Sequence, residues 1–299
     1  MKIAMQRSAT ESGLGHGRWQ LGIVGLAVDE RGTAAIQFTG QHCDKIISLQ
    51  YNAESFEILL DGRQHNAEDL DDLLSPFMGG AVLLESTSLG FVEIFLCCRA
   101  LLELSVSRVD LVYVEPEEYA NPRRVEILNR RDFELSKDVP GYRAIPKATK
   151  LLSDREPQHV IFFLGYEERR LEVALEDYQM IGPASCSLVF GVPAFKPGWE
   201  MNSFANNVRV IRDKNLSGGI HFCGAENPAA TIQVLEEIRR SIRPSERLFV
   251  APIGTKPNGI GVALFASQDQ ECGILYDHPV RSKKRTSKVS RWHLFEVEF

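Results

Sequence analysis

Short continuous apolar runs recur along the chain, among them "GAVLLE", "VDLVYVEP", "HVIFFLG", "CSLVFGVP" and "RLFVA". Runs without polar alternation are what parallel strands covered on both faces require. Between them lie segments of helical period: "FVEIFLCCRALLEL", apolar nearly all round; "YEERRLEVALEDYQ"; "NPAATIQVLEEIRRSI", with Asn227 at a plausible N-cap and Pro228 at N1; and "GIGVALFAS". Upstream, "LGIVGLAVDERGTAAIQF" and "KIISLQYNAESFEILLDGRQH" read as short strands joined by turns such as Asp29 to Gly32 and Asp61-Gly62, and "AEDLDDLLSPF" as a short acidic helix ending near Pro76. The terminal "RWHLFEVEF" alternates and predicts a last, antiparallel strand.

This rhythm predicts an α/β protein of two Rossmann-like halves, with mostly parallel sheets and a terminal antiparallel strand. Residues 1–20 have no period and read as a loose N-terminal segment. Residues 21–153 form the first predicted domain and 154–299 the second, with the boundary near Asp154 in a stretch rich in charge and proline. The two halves echo each other weakly: in both, a strand, a threonine-bearing loop, a helix and a second strand end on Tyr-x-x-Pro, at Tyr113 to Pro116 and at Tyr276 to Pro279.

At 299 residues and 44% hydrophobic, the chain can build one large or two medium domains. A net charge of −6 argues against a molecule that coats nucleic acid with its whole surface. The six cysteines (Cys43, Cys97, Cys98, Cys186, Cys223, Cys272) include no CxxC pair, and Cys97 and Cys98 lie within an apolar helix, so no disulfide framework is expected. No apolar run approaches the roughly 20 residues of a membrane span and no secretory leader opens the chain. The expectation is a cytoplasmic protein with no membrane partner.

Candidate chemistry gathers on loops that follow apolar strands, where open parallel sheets bind ligands. In "PIGTKPNGIG", Gly254 permits close backbone approach or a positive φ, Thr255 supplies a hydroxyl and Lys256 a mobile charge. Pro257 suits the first turn of a helix whose N-terminus favours an anion. The Walker A spelling is absent and no GxGxxG follows the first strand of either half, which disfavours nucleotide hydrolysis and NAD chemistry. "GYEERR" offers Gly165, with Arg169 and Arg170 as phosphate clamps against the helix-dipole preference and Glu167 as an acid/base. Ser86 and Thr87 are helix caps or phosphate donors. The run from Arg281 to Arg291 holds Lys283, Lys284, Arg285 and Lys288 and no acid, with Trp292 and His293 beyond it for stacking; Arg281 and Arg285 join the ligand candidates. His278 is a second acid/base candidate. His221 and Cys223 share a strand face but find no third ligand, so neither a metal site nor a cofactor is expected.

A Rossmann-like half with a "GTK" loop after a late buried strand, then a helix, a strand and a terminal antiparallel element, resembles the CRISPR-associated Rossmann fold and the related SAVED sensor domains of prokaryotic antiviral systems. The resemblance covers about half the chain and rests on "IGTKPNG", which lacks the doubled glycine usual in that family. It implies binding of a cyclic or linear oligonucleotide second messenger, with phosphates held by Gly165, Tyr166 and Glu167 to Arg170 and by Gly254, Thr255 and Lys256. No nuclease, protease or transmembrane effector is visible in the chain, which points either to an effector protein partner or to degradation of the messenger by this protein; a homodimer is a separate expectation. The alternative is a phosphodiesterase or nuclease-type enzyme acting on the same ligand, for which Glu167 and His278 are the candidates.

Overall fold

The apolar runs do form parallel strands with helices between them, and the protein is a mixed α/β molecule. The computed structural model describes residues 1–299 apart from 16, 78, 120–122, 126–129, 134, 149, 151, 153–156 and 284; for the strands at 123–125 and 130–132 it describes the backbone alone. Lys284 of the basic run and the expected boundary at Asp154 lie outside the described residues. The chain divides into two compact units, Met1–Ala120 with Lys283–Phe299, and Asn121–Ser282. The division at 120/121 and the return of the C-terminus to the first unit both differ from the sequence expectation.

In chain order the first unit contains β1 (Lys2–Ser8), β2 (Trp19–Val24), α1 (Glu30–His42), β3 (Cys43–Asn52), β4 (Glu57–Leu60), β5 (Arg63–Asn66), α2 (Leu70–Leu74), β6 (Val82–Glu85), α3 (Phe91–Glu103) and β7 (Arg108–Tyr119). The last strand of the chain, β17 (Thr286–Glu298), completes it. Its eight strands are ordered β1-β17-β7-β6-β2-β3-β4-β5. Strands β3, β2, β6 and β7 are mutually parallel, while β17 runs antiparallel to β7 and to β1. The core packs Trp19, Phe38, Val112, Val114, Trp292 and Leu294 together.

Three local expectations change here. Residues 2–8 are not loose: β1 pairs with β17 from Lys2–Glu298 to Ser8–Trp292. The turn expected at Asp29 to Gly32 is the start of α1, where the Asp29 carboxylate accepts from Gly32 N at 3.1 Å. The basic run is not one loop, because Arg281 belongs to the second unit and Thr286 onward is strand β17.

The second unit contains β8 (Arg123–Val125), β9 (Arg130–Asp132), β10 (Ser136–Asp138), β11 (Gln158–Leu164), α4 (Glu168–Asp177), β12 (Cys186–Gly191) and α5 (Glu200–Asp213). It continues with β13 (Ile220–Cys223), α6 (Pro228–Ser241), β14 (Arg247–Pro252), α7 (Lys256–Gln268), β15 (Gly273–Ile274) and β16 (Val280–Arg281). Its main sheet is parallel throughout, ordered β13-β12-β11-β14-β15. Phe162, Phe190, Phe249, Leu171 and Leu188 are at most 1% exposed in its core, and each such side chain contributes about 1.5–3 kcal/mol on burial. Helix α5 is absent from the sequence expectation. Asn227 caps α6 through Ala229 N and Ala230 N, with Pro228 in the first turn, as its sequence indicated.

Candidate functional site

A parallel sheet ordered β13-β12-β11-β14-β15 changes winding direction between β11 and β14, and the crevice beyond the carboxyl ends of those two strands is where such sheets receive ligands. The loops that reach it are 165–167 and 253–255, the two singled out by sequence. They touch. A Cβ on Gly165 would lie 2.7 Å from Ile253 O, and one on Gly254 would lie 3.2 Å from both Phe163 O and Leu164 O. Both glycines are therefore required for close backbone approach, and neither has a positive φ.

Helix α5 fixes the first loop. Ser203 Oγ and Asn207 Nδ2 donate to Gly165 O at 2.9 and 3.0 Å, and Asn206 Nδ2 donates to Tyr166 O at 2.6 Å. These are side chains that sequence reading passed over. Their signal was a Ser-Asn-Asn face of low helix propensity, which pays only when it has carbonyls to bond. In the second loop, Thr255 is the N-cap of α7. Its hydroxyl accepts from Asn258 N at 3.4 Å and donates to Ala225 O at 2.5 Å. Lys256 and Pro257 form the first turn, with Lys256 half-buried.

Arg170 does not face a ligand. It is buried, its Nε and Nη2 donating to Asp277 at 2.6 and 2.5 Å and its Nη1 to Ile253 O at 3.3 Å. Burial pulls the guanidinium pKa down, the Asp277 carboxylate pushes it up, and the net displacement is upward. The predicted clamp is an internal strut, because its counter-charge lies in the segment after β15. Arg169, the next residue back, is exposed.

Glu167 is occupied as well. Its carboxylate accepts from Leu135 N (3.0 Å), Ser136 N (2.8 Å) and Ser136 Oγ (2.9 Å), fastening the β10 segment over the start of α4. Strand β10 in turn pairs with β16, placing Arg281 opposite Ser136. His278 has a left-handed backbone (φ 48°) and is turned inward, its Nε2 3.3 Å from Arg143 O. His278 thus faces the protein interior, and the Glu167 carboxylate, although it borders a cavity, already accepts three hydrogen bonds.

Beneath this strap lies a cavity of about 300 Å³, walled by Phe133 and Tyr166, whose ring centroids are 4.7 Å apart, and by the start of α4, with Asn206 at its back. Lys137 and Arg169 line it, and neither makes a hydrogen bond or ion pair among the described residues.

In the first unit, Ser86 and Thr87 are neither caps nor open donors: Gly90 is the N-cap of α3. The fully buried Glu85 carboxylate takes Thr87 N at 2.7 Å, Ser88 N at 3.0 Å and the Ser88 hydroxyl, while Thr87 Oγ1 accepts from Val114 N at 3.1 Å. Burial raises the Glu85 pKa and these hydrogen bonds pull it back, leaving it above the usual carboxylate value. Arg285 lies close enough to Tyr113 and Tyr119 to oppose the burial-driven rise of their phenol pKa values. Trp292 is 4% exposed against Phe38, and His293 is fully buried with Nε2 2.9 Å from Glu115 Oε1, so neither is open to stack on a base. All six cysteines are buried and free. Among the described residues, no helix is long and apolar enough to cross a membrane.

No protein-family model matches the chain, and no curated protein is significantly similar to it.

Proposed function

We propose that the protein binds a nucleotide or oligonucleotide second messenger through its phosphates, as a sensor or adaptor of the kind used in prokaryotic antiviral defence. The observation that carries the reading is the contact of the Gly165 and Gly254 loops at the turning point of an all-parallel sheet, with Lys256 opening the helix that follows. The positive end of the α7 dipole and a lysine in its first turn together favour an anion in that crevice. Exposed Arg169, in the first turn of α4, adds a second cation to the same sheet edge. The resemblance to oligonucleotide-sensing Rossmann domains rests on these same loops.

Binding is favoured over cleavage because the two acid/base candidates are committed within the protein: Glu167 to three donors and His278 against a carbonyl. Metal-free phosphodiester cleavage needs a base within reach of the attacking hydroxyl. The test is calorimetry against a panel of cyclic and linear oligonucleotides, with the products examined by chromatography. Binding without turnover is expected. Lys256→Ala should weaken it by tenfold or more, since a charge-assisted contact contributes about 1.5–3 kcal/mol. Unchanged affinity in that variant removes the role given to this loop, and product formation replaces the sensor with an enzyme.

A further inference from the structure

The cavity under the β10 strap has a composition that the switch-point loops alone do not explain. We infer that it is a subsite for one nucleotide unit of the ligand, with the base against Phe133 and Tyr166 and a phosphate between Lys137 and Arg169. The inference rests on the phosphate-binding reading above and extends it to the base.

Size comes first. About 300 Å³ is at the lower end of ligand pockets, enough for a single nucleoside-sized group rather than an extended chain. The wall comes next. Phe133 is 8% exposed and its ring lies 33° from the plane of Tyr166, giving a continuous aromatic surface in which Tyr166 is the half-buried, accessible partner. Every base has a π-face, so such a surface holds a base without reading its sequence.

Charge then decides the rest. Among the described residues, six charged side chains line the cavity: Lys137, Asp138, Glu167, Glu168, Arg169 and Arg170. Every carboxylate among them already accepts or pairs. Asp138 takes Val139 N at 2.9 Å, Glu167 holds the strap, and Glu168 pairs with Arg209 at 2.9 Å. Arg170 belongs to Asp277. Lys137 and Arg169 alone keep all their donors, among the described residues. Asp138 and Glu167 stay charged but are turned to neutral donors of the strap, so a group seated between Lys137 and Arg169 is an acceptor-rich anion attached to a flat ring.

The test uses the full chain and titration calorimetry with the four nucleoside monophosphates, adenosine and ribose 5-phosphate. At least one nucleoside monophosphate is expected to bind tenfold or more tightly than ribose 5-phosphate. Tyr166→Leu, which keeps apolar bulk and removes the hydroxyl and the π-face, should bring that ligand down to the level of ribose 5-phosphate and leave ribose 5-phosphate itself unchanged. Joint replacement of Lys137 and Arg169 by alanine should weaken both by tenfold or more. Equal affinity for nucleotide and ribose phosphate, failure of all four nucleotides to bind, or an unaltered nucleotide affinity in Tyr166→Leu overturns the inference. Oligonucleotide binding that depends on Lys256 but not on Tyr166 removes the cavity and leaves the phosphate reading standing. Tyr166-dependent mononucleotide binding with a silent Lys256→Ala does the reverse.

Discussion

Removing the Asp277 carboxylate tests the assignment of Arg170 as an internal strut. The Asp277 side chain is 0% exposed and that of Arg170 10%, and they are joined by two hydrogen bonds of 2.6 and 2.5 Å. Asp277→Ala leaves a guanidinium with a pKa too high to be shed, its bonded carboxylate gone and only the more weakly acting Glu167 nearby. Breaking a buried pair from one side costs about 3–5 kcal/mol, against about 0–1 kcal/mol for an exposed pair. The double replacement Arg170→Met with Asp277→Leu removes both charges, and should recover most of that loss because no ion is left buried. Of the three tryptophans, Trp199 is the one in the second unit, with Trp19 and Trp292 in the first. Urea unfolding is therefore followed by fluorescence together with hydrogen exchange of peptides covering β11 and β14, which locates the loss. The expected pattern is a large loss confined to 121–282 in Asp277→Ala and near-recovery in the double variant. A loss below about 1 kcal/mol would mean that water screens the pair as it does at a surface, and would return Arg170 to the candidate ligand contacts.

Three further outcomes follow from the geometry. Gly165→Ala puts a methyl group 2.7 Å from Ile253 O; overpacking of this kind costs about 1–3 kcal/mol, and an unchanged urea midpoint with unchanged ligand affinity would refute the close apposition of the two loops. Burial holds the His159 pKa below its ordinary 6.5, with Nε2 2.8 Å from Ser187 Oγ. The unfolded chain thus takes up its proton first as pH falls, and the second unit should lose stability from pH 6.5 downward; His159→Gln should flatten that part of the urea-midpoint profile, and an identical slope in the variant would contradict it. Burial pushes the thiols of Cys43, Cys98 and Cys186 up to about 12 and that of Cys223 to about 11, so the native protein should react with essentially no dithionitrobenzoate at pH 8 and with six equivalents once denatured. Rapid reaction of one native thiol would show that its burial is misjudged.

What could be read from sequence was local. The strand-loop-helix stretches at "GYEERR" and "PIGTKPNGIG" announced themselves because the loop residues and the elements they join are neighbours in the chain. Features that depend on distant residues were hidden. Asp277 lies 107 residues from Arg170, and β1 finds its partner in β17 at the other end of the chain. Helices α1 and α5 were missed for a different reason: their glycines, threonines and asparagines lower intrinsic propensity, and packing overrides it. In α5 the same residues that weaken the helix, Ser203, Asn206 and Asn207, grip the Gly165–Tyr166 carbonyls. Local preference was sacrificed where the site is built. The cavity was invisible because its strap, residues 135–139, reads as a charged connector until Glu167 is seen to fasten it.

The repeated α/β rhythm suggests two equivalent anion sites, and the carboxylates decide otherwise. In the first unit each amide-rich turn beyond a parallel strand already holds an internal anion. Asp29 caps α1 through Gly32 N, and Glu85 takes both amides and the hydroxyl of the loop leading to α3. An external phosphate there would have to displace a fully buried carboxylate, stranding it without donors, which costs far more than a surface contact returns. In the second unit, among the described residues, no carboxylate caps the amides of α4 or α7. Helix α7 is capped by the neutral hydroxyl of Thr255, and the Glu167 carboxylate at the head of α4 is drawn off toward Leu135 and Ser136 instead of its own helix amides. With Lys256 in the first turn of α7 and Arg169 and Lys137 beside α4, that edge carries positive charge. If one sheet of this protein receives a phosphate, electrostatics assigns it to the one that has not supplied its own.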